Sequence, residues 1–162
     1  MTKRLFFIAA VVYVLFLAEF VLYNTAGAWG KPELLVLAVI FCNLYWGIRW
    51  GIWAAVVAGL VRDAFSIQPF GTHLFIYIAA AYLTTYIRKN IYQPGSRFSR
   101  AMAAFFVVVG CFTVETALHL RQYDVRLPEA VLCILIPQLV TTMVAATFVF
   151  QGLRNLVVKL KL

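Results

Sequence analysis

From residue 5 to residue 23 the chain carries one charged side chain, Glu19. A bilayer-spanning helix needs about 20 predominantly apolar residues, so this run has the length of a span. Five more apolar stretches follow, at residues 33–46, 50–62, 72–87, 101–120 and 130–150. The pattern predicts an all-α integral membrane protein with six transmembrane helices. Hydrophobic residues make up 64% of the 162-residue chain and charged residues 12%. Soluble domains average about 45–50% apolar and about 25% charged. A chain this short has too much surface for its volume to hide the excess. Composition therefore excludes a soluble domain, and it excludes disorder, which requires low hydrophobicity. Six spans of about 20 residues leave no room for a separate soluble domain, so residues 1–162 are read as one membrane domain.

The first run is longer than the roughly 7–15 apolar residues of a signal-peptide core. It also contains Glu19. It is therefore expected to be a retained helix. The second and third helices are expected to be short and to form a hairpin. Its tip would lie at Trp46-Gly47-Ile48-Arg49-Trp50-Gly51, because arginine is costly at mid-membrane and tryptophan favours the interface. Pro32 suits the first turn of the second helix. Residues 62–71 are expected as a loop, 88–100 as a polar connector, and Pro137 as a kink inside the last span.

Charge placement sets the topology. Six crossings put both termini on one side with Lys3, Arg4, Arg49, Arg88, Lys89, Arg97, Arg100, Arg154, Lys159 and Lys161. The other side holds Lys31, Arg62, Arg121 and Arg126. The positive-inside rule makes the richer side cytoplasmic. Five crossings would bury Arg49 and leave more basic residues outside than inside, against that rule. The net charge of +8 is thus a topology signal, and nucleic acid is not an expected partner. Glu33, Asp63, Asp124 and Glu129 all fall on the outer side, and Glu19 and Glu115 lie in the outer halves of their spans. His73 and His119 are at outer ends as well.

Gly47, Gly51, Ala55, Gly59 and Asp63 recur every four residues, which places them on one helix face. Small residues at this spacing let membrane helices approach closely. The stripe is read as a packing seam, internal or to a partner, with Asp63 at its outer end. Glu115 and His119 share a helix face and are expected to form an internal polar pair. Glu19 is a functional candidate as an ionisable group within a span, or a partner for Arg62 or Arg121. Glu19, His73, Glu115 and His119 are together the candidates for an outer polar cluster. Cys42, Cys111 and Cys133 lie in apolar runs with no ligand spacing, the pattern of cysteines acting as small hydrophobes. Serines occur only at 66, 96 and 99, all in expected loops, and no GxSxG, phosphate-binding or zinc motif occurs. No catalytic residue, cofactor or metal is expected.

The motif Gly59-Leu60-Val61-Arg62-Asp63, then Pro69-Phe70-Gly71, follows a helix opened by Pro32-Glu33-Leu34-Leu35. The resulting G-x3-D-x7-G spacing resembles the MreD family, the small membrane subunit of the bacterial rod-shape system. Arg126-Leu127-Pro128-Glu129, Pro137 and the basic tail fit as well. The resemblance implies a non-enzymatic scaffold in the bacterial cytoplasmic (inner) membrane. Its partners would be MreC and, indirectly, MreB filaments and RodA with its class B penicillin-binding transpeptidase, which build lateral peptidoglycan. It further implies a fold similar to the S components of energy-coupling-factor transporters. On that basis Gly51, Ala55, Gly59, Asp63 and Gly71 are candidates for helix packing or partner binding. The alternative reading is an S-component-like protein that binds a small solute in an outer-facing pocket. Membrane lipid is a partner in either case.

Overall fold

The computed structural model describes residues 2–26, 32–66, 68–90, 97–122 and 136–160. Six helices account for nearly all of them: α1 Thr2–Ala26, α2 Leu34–Trp46, α3 Ile48–Ala64, α4 Thr72–Asn90, α5 Arg97–Gln122 and α6 Ile136–Leu160. No strand occurs among the described residues. Among the described residues, three helices are long and apolar enough to cross a membrane, over Lys3–Thr25, Phe98–Leu118 and Ile136–Lys159. Their outer surfaces carry Phe6, Tyr13, Phe20, Phe105, Val144 and Phe148 in exposed positions. An apolar surface of this extent suits lipid rather than water.

The short α2 is at the centre. It packs against each of the other five helices, and every residue from Leu34 to Leu44 is buried. The reason is in its sequence, LLVLAVIFCNLYW. A helix that is apolar on all faces has no side to offer water and is stable only when surrounded. At about 1.5 Å per residue its 13 residues span about 20 Å. The flanking helices cover that length, so α2 does not meet lipid along most of its surface.

α3 packs beside α2 through its small-residue face. Gly51, Ala54, Ala55, Ala58 and Gly59 are all buried. A Cβ on Gly51 would stand 2.7 Å from the Asn43 Cβ of α2, and one on Gly59 would stand 2.6 Å from the Leu74 Cα of α4. Both are closer than real Cβ contacts allow. The stripe is therefore the seam by which α3 fits between α2 and α4 inside the chain.

Several boundaries differ from the sequence expectation. Gly47 is not part of the stripe. It has φ of +90° and is the single residue between α2 and α3, so the hairpin turns there and the stripe begins at Gly51. α3 continues through Ala64, which puts Arg62 and Asp63 in its last turn rather than in a loop. Arg88 and Lys89 close α4, where basic side chains complement the helix dipole. Arg97 and Arg100 belong to α5. α6 runs ten residues beyond the expected end at 150, so Arg154 and Lys159 are helical. Pro137 lies on this helix. The expected start of that span, residues 130–135, lies outside the described residues. Cys42 and Cys111 are buried free thiols; Cys133 lies outside the described residues.

Candidate functional site

Arg62 and Asp63 are adjacent in sequence, and successive helical side chains point in directions about 100° apart. Each therefore meets a different neighbour. Arg62 reaches α1, where Nη1 pairs with the Glu19 carboxylate, and its Nη2 lies 3.1 Å from Glu33 Oε1. Glu33 Oε1 also accepts from Gln138 Nε2 of α6 at 3.3 Å. The Glu33 backbone N–H donates to Thr142 Oγ1 at 3.1 Å. The one guanidinium thus joins α1, α3 and the start of α2, and Glu33 extends the chain of bonds to α6. Glu19, Glu33 and Thr142 are buried.

Asp63 faces the start of α4. Its Oδ2 accepts from the backbone N–H of Gly71 at 2.9 Å and of Leu74 at 3.2 Å. Its Oδ1 accepts from the His73 N–H at 3.0 Å and stands 2.8 Å from His73 Nδ1. The first N–H groups of a helix have no intrahelical acceptor. Asp63 fills the role of an N-cap residue from a different helix, eight to eleven positions earlier in the chain. Gly71 presents its N–H from a backbone with φ of +99°, a conformation glycine adopts without strain. The Gly59 seam brings α4 close enough for the carboxylate to reach. His73 Nε2 in turn lies 3.8 Å from Glu115 Oε1 on α5.

All four described acids therefore collect in one region, and every helix contributes to it. Tyr77, one turn beyond His73, is buried with its ring 6.3 Å from the imidazole. Its hydroxyl stands in the field of Glu33, Arg62, Glu19 and Glu115 and has no hydrogen-bond partner among the described residues. No three His, Cys, Asp or Glu side chains converge as a metal site among the described residues. What this arrangement does chemically is to join six helices through ion pairs and hydrogen bonds.

The opposite end of the bundle is organised differently. Asn43, buried in α2, donates through Nδ2 to the Ala81 carbonyl and to Thr85 Oγ1 on α4. Arg88 Nη1 donates to the Asn43 carbonyl at 3.2 Å. The Arg4 guanidinium lies 5.8 Å from the Trp46 ring centroid and 5.7 Å from that of Trp50. Arg100 Nη1 donates to Tyr45 Oη at 3.2 Å. These basic residues gather around the α2–α3 turn, and Arg49 is exposed beside it.

The sequence candidates divide accordingly. Gly51, Ala55, Gly59, Asp63 and Gly71 are placed in or against the α2–α3–α4 interior. Glu19, His73 and Glu115 stand in the acidic region with Arg62. His119 is on α5, but its side chain lies outside the described residues, as do Asp124 and Glu129. Sequence reasoning missed the roles of Glu33, Tyr77, Gln138 and Thr142, and of Asn43 at the other end. The signal for Asn43 was present: a lone amide in an otherwise apolar helix needs a partner. Glu33 and Gln138 gave no local signal, because their pairing joins residues 105 positions apart.

The family model for the rod shape-determining protein MreD matches residues 2–159. The chain belongs to the MreD family. Neither a curated protein nor a solved structure matches it. Membership makes this a rod shape-determining membrane protein, associated with the rod-shape complex, in a family of structural, shape-determining proteins that is not a known enzyme family. Within the MreD-like motif, Gly59 lies against the Leu74 backbone of α4, Asp63 is the cap, and Gly71 supplies the first capped N–H.

Proposed function

We propose that the chain is a non-enzymatic scaffold of the elongation machinery in the cytoplasmic membrane. It binds the membrane helix of MreC and helps couple MreB filaments to the RodA–transpeptidase pair. Both termini are cytoplasmic in this reading, which is supported by the gathering of Arg4, Arg88 and Arg100 at the α2–α3 turn.

The observation that carries the proposal is the contrast between interior and surface. Glu19, Asp63 and His73 are engaged with Arg62 and the α4 N-terminus. The small-residue stripe is engaged in internal packing. The surface instead presents a groove of about 710 Å³ between α4 and α5, lined by Phe75, Ile76, Ala79, Leu83, Gly110 and Val114. A bitopic partner has one apolar helix to offer. Small residues such as Ala79 and Gly110 let a helix backbone approach closely. The S-component-like solute reading has Glu19, Asp63, His73, Glu115 or His119 face a shared outer pocket; the pairing of Glu19 with Arg62 and of Asp63 with His73 weighs against it.

Ala79 and Thr113 border the groove and are exposed, so filling it leaves internal packing intact. Ala79→Leu with Thr113→Leu is expected to reduce co-purification of MreC by about tenfold, the equivalent of one displaced hot spot, at unchanged melting temperature. Undiminished co-purification removes the groove as the docking face.

A further inference from the structure

A second cleft, of about 320 Å³, opens between α5 and α6 at the basic end of the bundle. Arg100 and Arg154 stand on its walls, and Ala101, Met143, Ala146 and Phe150 supply an apolar surface. Arg100 is held in place by its bond to Tyr45 Oη, and Tyr45 is stacked on Phe41 with ring centroids 4.4 Å apart. That bond uses one of the five N–H donors of a guanidinium. The remaining donors of Arg100 and those of Arg154 meet no carboxylate among the described residues.

The sequence explains why. The chain has six acids. Glu19, Glu33, Asp63 and Glu115 are in the region at the other end, and Asp124 and Glu129 follow α5 in sequence, while Arg100 is at its beginning. No carboxylate among the described residues serves this arginine pair, so an anion from outside the chain can take that place. Its ligand must combine a negative charge with an apolar body, because the cleft combines two guanidiniums with an apolar floor. It must also reach a cleft between two helices that are each long enough to cross a membrane.

We propose that this cleft binds an anionic phospholipid, with its phosphate between Arg100 and Arg154 and an acyl chain along Met143, Ala146 and Phe150. The inference rests on the membrane reading but not on the binding of MreC. The positive-inside bias places the site in the cytoplasmic leaflet, where anionic headgroups attract basic side chains. Guanidinium groups suit phosphate because they donate in a planar fork.

The test is native mass spectrometry of the full chain, delipidated in detergent and titrated with phosphatidylglycerol, phosphatidylcholine or sodium phosphate. Phosphatidylglycerol is expected to bind at least about tenfold more tightly than phosphatidylcholine. Arg100→Gln with Arg154→Gln is expected to lose about tenfold or more in affinity, from two basic contacts near the membrane surface. Arg49→Gln with Lys89→Gln removes the same charge from exposed positions and is expected to bind as the unaltered chain does. Ala101→Trp blocks the cleft from an exposed position without changing charge and is expected to abolish binding; it decides the question if the arginine variant does not fold. Equal binding of the two lipids would overturn the proposal. So would equal losses in the two charge variants, or displacement of the lipid by millimolar phosphate. Because no partner protein is present, a failure here is distinct from a failure of the MreC reading.

Discussion

At one end of the bundle Arg62 answers Glu19 and Glu33, and Asp63 caps α4. At the other end Arg4 lies over two indoles, Arg88 donates to a carbonyl, and Arg100 donates to a phenol. The acidic end satisfies its charges with partners from the same chain. The basic end holds its arginines with neutral groups and leaves their charge uncompensated by any carboxylate among the described residues. The first arrangement locks helices together. The second presents positive charge outward. A buried ion pair is expensive to break, because either partner alone is a desolvated charge. A guanidinium on an aromatic face or a carbonyl keeps its charge when that contact is lost, and water can replace the neutral partner. The acidic end should therefore determine stability, and the basic end should determine the binding of anionic lipid.

The sharpest way to break this comparison is at Arg62. Arg62→Met leaves Glu19 and Glu33 buried without their guanidinium, at an expected cost of about 3–5 kcal/mol. Thermal unfolding in detergent measures it. Adding Glu19→Gln and Glu33→Gln should recover much of the loss, since uncharged amides remove the desolvation problem. A single variant as stable as the unaltered chain would mean that the network does not hold the helices.

Asp63→Ala should come next. It leaves the N–H groups of Gly71, His73 and Leu74 without their acceptor, which costs about 1–3 kcal/mol. Asp63→Asn should retain part of that, because an asparagine oxygen also caps. The readout is again the melting temperature, and amide hydrogen exchange should localise the loosening to the first turn of α4. Exchange unchanged at His73 and Leu74 would contradict the capping role.

The smallest effect should be at the basic end. Arg88→Gln removes one donor to the Asn43 carbonyl, for about 1 kcal/mol. If it matched the loss from Arg62→Met, the division between a stabilising end and a presenting end would not stand.

Much of this organisation was legible in the sequence. The apolar runs gave the helices, because 3.6-residue geometry and bilayer thickness act on local composition. The segregation of acids from bases gave the two ends. The four-residue period gave the small face of α3. Other features were legible only in part. Gly47 fits the period, but its positive φ makes it the turn. The end of α3 was placed too early, because Arg62 and Asp63 read as loop residues; inside the fold, tertiary partners carry their charge through the last helical turn. The stripe could have served a partner, and only the placement of Asn43 and Leu74 against Gly51 and Gly59 assigned it to the interior.

The sequence by itself determined that this is a helical membrane protein with one acidic and one basic end. The helices follow from composition and short-range order, and the two ends follow from the positions of the charges along six crossings. The tertiary structure decided which charges meet. Arg62 finds Glu19 across 43 positions, Gln138 finds Glu33 across 105, and Asp63 caps a helix to which it does not belong. Pairings of this kind depend on how sequence-distant helices pack, and the central, almost wholly apolar α2 touches every other helix in that packing.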